Sequence, residues 1–311
     1  MVNEGYVLQI TESDETSIES ADTYKLGKDN KSAQLELKTM VVSSKAEQLG
    51  SFKTANSILS SRSDGVKVSN LLVNGIPLWL FFGKVTNTVT DDTHTITIPA
   101  IAEMPLERIK VFQTVGSLTK VVHGVVFESL NLAFKIGNPI EITMAGKGLK
   151  EEFVAYTPAT AEYPDSLSTT FNLLDSISWN GSSLFGQGIS SIVMECSRTL
   201  NEYMDINGVP IMINEFSPII NTMAIISNSP ITALHTDFLA KTPRRIKFKV
   251  TKNTGSEYLE VDSVEATAYV IAEDPTVELN KITTYYYYIL IQDLTITVKD
   301  LVDDDFYTKL T

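Results

Sequence analysis

Hydrophobic and polar residues alternate between His123 and Gly137. Val126, Leu130, Leu132, Phe134 and Ile136 fall on one face, and Ser129, Asn131, Ala133 and Lys135 on the other. A period of two predicts a half-buried β-strand, because successive side chains point to opposite faces of a sheet. Residues 259–273, LEVDSVEATAYVIAE, carry the same layout, with Asp262-Ser263-Val264 aligned to Glu128-Ser129-Leu130. The surroundings repeat as well. LERIKVF (106–112) precedes the first stretch and RRIKFKV (244–250) the second. Upstream, LLVNGIPLWLFFGK (71–84) corresponds to SNSPITALHTDFLAK (227–241), each a proline-containing turn followed by a short apolar helix ending at a lysine. Residues 85–103 stand in the first copy only. The chain reads as an internal duplication.

Further strands are predicted at 34–42, 66–73, 94–98, 140–144, 189–196 and 293–298, punctuated by turn pairs such as Asp64-Gly65, Asn180-Gly181 and Asn207-Gly208. Residues 156–170, with two prolines and little apolar content, read as a linker. The expected fold is mainly β: two tandem β-sandwich or barrel domains, each flanked by a short α-helix. The boundaries follow: an N-terminal arm at 1–30, a first β-domain at 31–155, the linker at 156–170 and a second β-domain at 171–311.

Composition narrows the function. With 311 residues and 43% hydrophobic content the chain is long and apolar enough for two cores. No apolar run approaches the roughly 18 residues of a membrane span, and the acidic N-terminus lacks the apolar stretch of a secretory signal, so a cytoplasmic product without membrane partners is expected. The formal charge of −13 argues against gripping nucleic acid, since that affinity comes largely from neutralising phosphates. It does not exclude a protein that nucleic acid slides past.

Catalytic chemistry finds no foothold. The single cysteine, Cys196, excludes an intrachain disulfide or a multi-cysteine zinc site. His94, His123 and His235 show no metal-ligand spacing, AGKG (145–148) lacks the glycine and hydroxyl residue of a phosphate loop, and no G-x-S-x-G elbow is present. No catalytic residue, metal or cofactor is expected. Self-association is the stronger signal. TTYYYYILIQD (283–293) puts Tyr285, Tyr286, Tyr287 and Tyr288 on both faces of one strand, which suits an interface. The segments 43–65 and 201–221 are long for structureless loops. Their apolar residues Phe52, Ile58, Leu59, Ile211, Met212, Phe216 and Ile219 join the tyrosines as candidates for contacts between subunits or rings.

The order of these pieces resembles a known family. SRSDGVKVSNLLVNGIPLWLFFGKV, TITIPAIAEMPLERIKVFQ and VVHGVVFESLNLAFKIGNPIEITMAGKG, followed by SISWNGSSL, SSIVMEC and VDSVEATAYVIAE, are similar to the major tail tube proteins of long-tailed bacterial and archaeal viruses. The resemblance covers roughly residues 30–300 and rests on structural motifs of low individual specificity, with Glu128 where aspartate is commoner. It implies β-domains whose sheets join across subunits into rings, stacked around a lumen through which double-stranded DNA passes without tight binding. Two domains per chain imply three chains in a pseudo-sixfold ring. The implied partners are other copies, the tape measure, terminator and baseplate, and the implied location is the virion tail, assembled in the host cytoplasm. Candidates for the lumen wall are Ser129, Asn131, Lys135, Ser263, Glu265 and Thr267. Two alternatives remain: another β-rich baseplate or injection-system protein, or a glycan-binding adhesin module.

Overall fold

A computed structural model describes residues 6–10, 23–25, 34–44, 58–88, 92–98, 109–115, 118–154, 170–204, 210–214, 217–253, 256–276 and 284–300, with the backbone alone ahead of Gly65. The protein is mainly β, with antiparallel sheets and two helices among the described residues. The first strands are β1 (Tyr6–Ile10), β2 (Thr23–Lys25), β3 (Gln34–Ser44) and β4 (Ile58–Leu71), followed by helix α1 (Ile76–Phe82). Next come β5 (Lys84–Thr88), β6 (Thr93–Thr97), β7 (Ile109–Val115), β8 (Leu118–Lys135), β9 (Glu141–Gly148) and β10 (Lys150–Val154). After the predicted linker lie β11 (Phe171–Trp179), β12 (Ser182–Ser183), β13 (Ile189–Ser197), β14 (Asn201–Met204), β15 (Pro210–Asn214) and β16 (Ile220–Ser227). Helix α2 (Thr232–Ala240) leads to β17 (Ile246–Lys252), β18 (Tyr258–Asp262), β19 (Ala268–Thr276), β20 (Thr284–Ile291) and β21 (Thr295–Lys299).

Both large sheets draw strands from either side of the predicted linker. Eight strands of the main sheet run in the order β3-β4-β9-β8-β13-β16-β20-β19. Strand β8 is long enough to serve twice. Its second part lies between β9 and β13, while its first part pairs with β7 and β10, and β1 and β2 extend that wing beyond β7. The second sheet runs β12-β11-β17-β18-β21-β6-β5. The residues that the sequence comparison left without a counterpart therefore supply most of β5 and β6, and β6 pairs with β21 far along the chain.

One continuous apolar core lies between the sheets, including Phe127, Leu132, Met144, Ile192, Ile225 and Ile289 from the main sheet and Trp179, Phe248, Val261 and Ile296 from the second. Helix α1 is apolar all round, with a proline in its first turn, and is almost wholly buried in that core. Gly83 ends it at φ 95°, donating its N–H to the Trp79 carbonyl at 2.7 Å, a left-handed position that glycine adopts without a Cβ penalty. Helix α2 lies at the surface, burying only Leu234 and Asp237. Asp237 accepts hydrogen bonds from Trp179 Nε1 at 2.7 Å and from Arg244 Nε and an Arg244 terminal nitrogen at 3.1 and 3.0 Å, fastening the helix to β11.

The strand that the sequence pattern writes twice departs from expectation. Residues 118–135 form one strand, whereas 259–273 divide into β18, a turn and β19, which lie in different sheets. Ser263 is buried at that break: its Oγ accepts the Ile246 N–H at 2.8 Å, and its own N–H donates to the Ile246 carbonyl at 2.9 Å. Glu265 follows with φ 55°, outside the extended region a strand requires. Alternation of apolar residues survives across such a turn because the strands on either side are each half-buried.

Candidate functional site: the open face and outer edges of the main sheet

One face of the eight-stranded sheet covers the core; across β8, β9 and β13 the other carries half-buried and exposed side chains, except where the β14–β15 hairpin packs on Val126. On the open face of β8 stand Ser129, Asn131, Ala133 and exposed Lys135, while Leu130, Leu132 and Phe134 between them are buried. Strand β9 continues the pattern with Glu141, Thr143, Ala145 and Lys147, and β13 with Ser191, Val193, Glu195 and Ser197. Small polar and charged side chains make up most of this part. Across the β8–β13 junction, Asn131 Nδ2 donates to Glu195 Oε1 at 3.1 Å.

Towards β19 the open face becomes aromatic. Tyr286 and Tyr288 stack with centroids 6.5 Å apart, and Tyr288 is 40% exposed. The four tyrosines thus divide. Tyr285 packs against the core, and Tyr287 is buried with its hydroxyl accepting the Ile231 N–H at 2.7 Å.

The remaining candidate residues are scattered. Ser263 is buried in the turn described above. Exposed Glu265 and half-buried Thr267 share that turn, off the sheet face, with Thr267 Oγ1 donating to the Val264 carbonyl at 2.9 Å. Ile58 and Leu59 lie in the first part of β4, paired with Ser44 and Ser43. Ile211 and Met212 lie in β15, which forms a hairpin with β14, and Ile219 packs against the main core. Ile213 of that hairpin is buried against Val126 and Leu200. Phe52 and Phe216, with the predicted linker at 156–169, lie outside the described residues.

AGKG is part of β9. A Cβ at Gly146 would lie 2.3 Å from the Val126 carbonyl oxygen, so the glycine serves close approach of β8. Each histidine meets a carboxylate from a distant stretch: His94 meets Asp300 at 3.2 Å, His123 meets Glu152 at 2.7 Å and His235 meets Glu273 at 2.6 Å. The Lys150 hydrogen bond chiefly holds Glu152 below its ordinary pKa, with burial opposing and His123 assisting. These are pairs. Among the described residues no group of three or more His, Cys, Asp or Glu side chains could hold a metal ion. Burial, with the adjacent Glu195 carboxylate, pushes the Cys196 thiol far above its ordinary pKa, which leaves it unreactive.

The sheet's strand order carries a signal that the primary sequence hides. The quartet β13-β16-β20-β19 repeats β3-β4-β9-β8 in the same sense. Strands β4 and β16 each lead through four residues into a helix. Strands β8 and β19 each carry a bulge, between Phe127 and Ser129 opposite β9 and between Val270 and Ala272 opposite β20. The quartets meet at β8 and β13. Among the described residues, β3 pairs only with β4 at one end, and at the other β19 pairs only with β20 beyond a bridge from Arg244 to Ala268. No family model matches the chain, and no curated protein matches it.

Proposed function

We propose that the chain is the major subunit of a viral tail tube, a structural virion protein with no catalytic role. Its two tandem tube-type β-domains, each flanked by a helix, are the two quartets with their share of the second sheet. One observation carries this reading: the quartets follow one another head to tail in a single sheet, leaving unlike edges at its two ends. Repetition of the step that joins β8 to β13 brings β19 of one chain against β3 of the next. Such a heterologous contact closes into a ring when the rotation permits.

Three chains, eight strands apiece, would close a barrel of twenty-four strands. Barrels of about 16–18 strands already leave an aqueous channel, so this one has room for a duplex. Closure also removes both outer edges, which are aggregation hazards in a free chain. The polar residues Ser129, Asn131 and Lys135 then face the lumen, and the chain's net charge of −13 opposes tight binding of DNA. Stacked rings would be bounded by tape measure, terminator and baseplate proteins, in a virion tail assembled in the host cytoplasm.

A second reading draws on the stacked Tyr286 and Tyr288. Aromatic faces open to solvent suit sugar rings as well as proteins, which keeps a monomeric glycan-binding module in view. Mass photometry and negative-stain microscopy across a concentration series separate the two. Rings of threefold mass, or hollow tubes, are the expected result. A monodisperse monomer at every concentration, with binding on a glycan array, would replace the tube with the adhesin.

A further inference from the structure

The junction inside one chain is a template for the junction between chains, and pairing partners carry it over position by position. In the first quartet Asn131 pairs with Thr143, Thr143 with Ser69 and Ser69 with Gln34. In the second quartet Asp274 pairs with Tyr286, Tyr286 with Ile226 and Ile226 with Ser191. Asn131 stands four residues after the bulge position Phe127, and Asp274 four after Val270. Asp274 is therefore the counterpart of Asn131, and Gln34 that of Ser191. Both β3 and β13 run on from those positions without a register shift through the next four residues, which makes Lys38 the counterpart of Glu195.

Resting on the ring reading above, we infer that β19 of one chain pairs antiparallel with β3 of the next in this register, setting Asp274 opposite Lys38. The internal junction holds the neutral-to-acid pair Asn131 and Glu195, hydrogen-bonded at 3.1 Å. The same position between chains carries opposite charges. Backbone register alone sets this pairing, and the two residues it brings together are opposite in charge. Cross-strand partners of opposite charge stabilise a sheet, and like charges there oppose it.

Two features of the β19 edge fit the same occupant. Asp274 is exposed, opposite Tyr286 on the open face. Ile271, at the bulge, is an apolar side chain left 51% exposed beside an edge, and an approaching β3 would cover it. Its counterpart at the internal junction, Glu128, accepts the Arg198 N–H at 2.9 Å through its carbonyl. The mapping puts Val41 of the next chain in the place of Arg198.

The test is a charge swap in the full-length chain. Asp274→Lys and Lys38→Asp should each raise the concentration at which rings form by about tenfold, because each sets like charges opposite one another at every junction. Both changes together should restore assembly to near the wild-type concentration. A second measurement uses Asp274→Cys with Lys38→Cys under oxidation. It should give covalently linked chains in the ring, while Asp274→Cys with Glu36→Cys gives far fewer. Wild-type rings whose swap shows no rescue and whose cysteine pair does not cross-link would overturn the register and leave the ring standing. A wild-type chain that stays monomeric at all concentrations would remove both.

Discussion

Asp237 shows how one residue links charge, burial and position. It sits on the half-exposed helix α2 yet is itself buried, where Trp179 and Arg244 supply the donors its carboxylate requires. Burial alone would raise its pKa, but the hydrogen bonds from Arg244 and Trp179 and the charge of Arg244 prevail, and the folded value lies below the ordinary 3.8. A depressed carboxyl stabilises the fold above its unfolded pKa and loses that contribution as pH falls through the folded value. Asp237→Ala strands the buried Trp179 N–H and should cost about 1–3 kcal/mol in denaturant unfolding at neutral pH. Its deficit against wild type should shrink on acidification below about pH 4. A deficit unchanged down to strongly acidic pH would mean that packing, not the charge, is what the substitution removed. Neither partner was legible in the sequence: Trp179 stands 58 residues away, and the i, i+7 spacing to Arg244 crosses the end of the helix.

At the scale of elements, the β5–β6 hairpin shows what the residues without a counterpart in the second half do. Residues 85–103 looked like an addition to the first copy. In the fold, β6 covers the edge of β21 in the second copy, and its buried His94 meets Asp300, whose other oxygen accepts the Gly75 N–H at 2.7 Å just ahead of α1. The hairpin thus ties the part of the chain before the predicted linker to the part after it. Replacing residues 85–97 with a short linker should expose β21 and remove Val85 and Ile96 from the core. Hydrogen exchange of the β21 amides should then speed up far more than that of β9, because protection follows the local opening free energy. Equal loss across both strands would indicate that the core opens as one unit. The strands themselves were mostly visible as alternation, as at β6, β13 and β21. The division of 259–273 was not, since a turn held by Ser263 through backbone contacts leaves no mark on hydrophobic periodicity.

For the whole molecule, the proposed tube depends on how a strongly acidic chain would behave beside DNA. Non-specific affinity arises from releasing counterions as basic residues neutralise phosphates. Lysines on the open face share it with acids: Lys147 lies 3.4 Å from Glu202, and Glu141 and Glu195 stand on the same surface. Assembled protein should therefore show no retention of duplex DNA in a mobility-shift experiment at about 0.15 M salt, where screening acts within roughly 8 Å. Salt-sensitive retention there would count against the proposed tube wall that lets DNA slide.

The sequence by itself determined the mainly β character, most strand positions and both short helices, because each is written in local periodicity and turn residues. It also settled which side of β8 is polar, since that alternation is regular over the strand's second part. Tertiary structure decided how the strands combine: one shared sheet, the head-to-tail order of its quartets and, among the described residues, unlike edges at β3 and β19. Pairing between strands distant in sequence depends on register, bulges and backbone hydrogen bonds, to which every residue contributes the same groups. A side-chain pattern cannot encode those choices where it can be read locally. Asp274 and Lys38 become partners only once the sheet order is known.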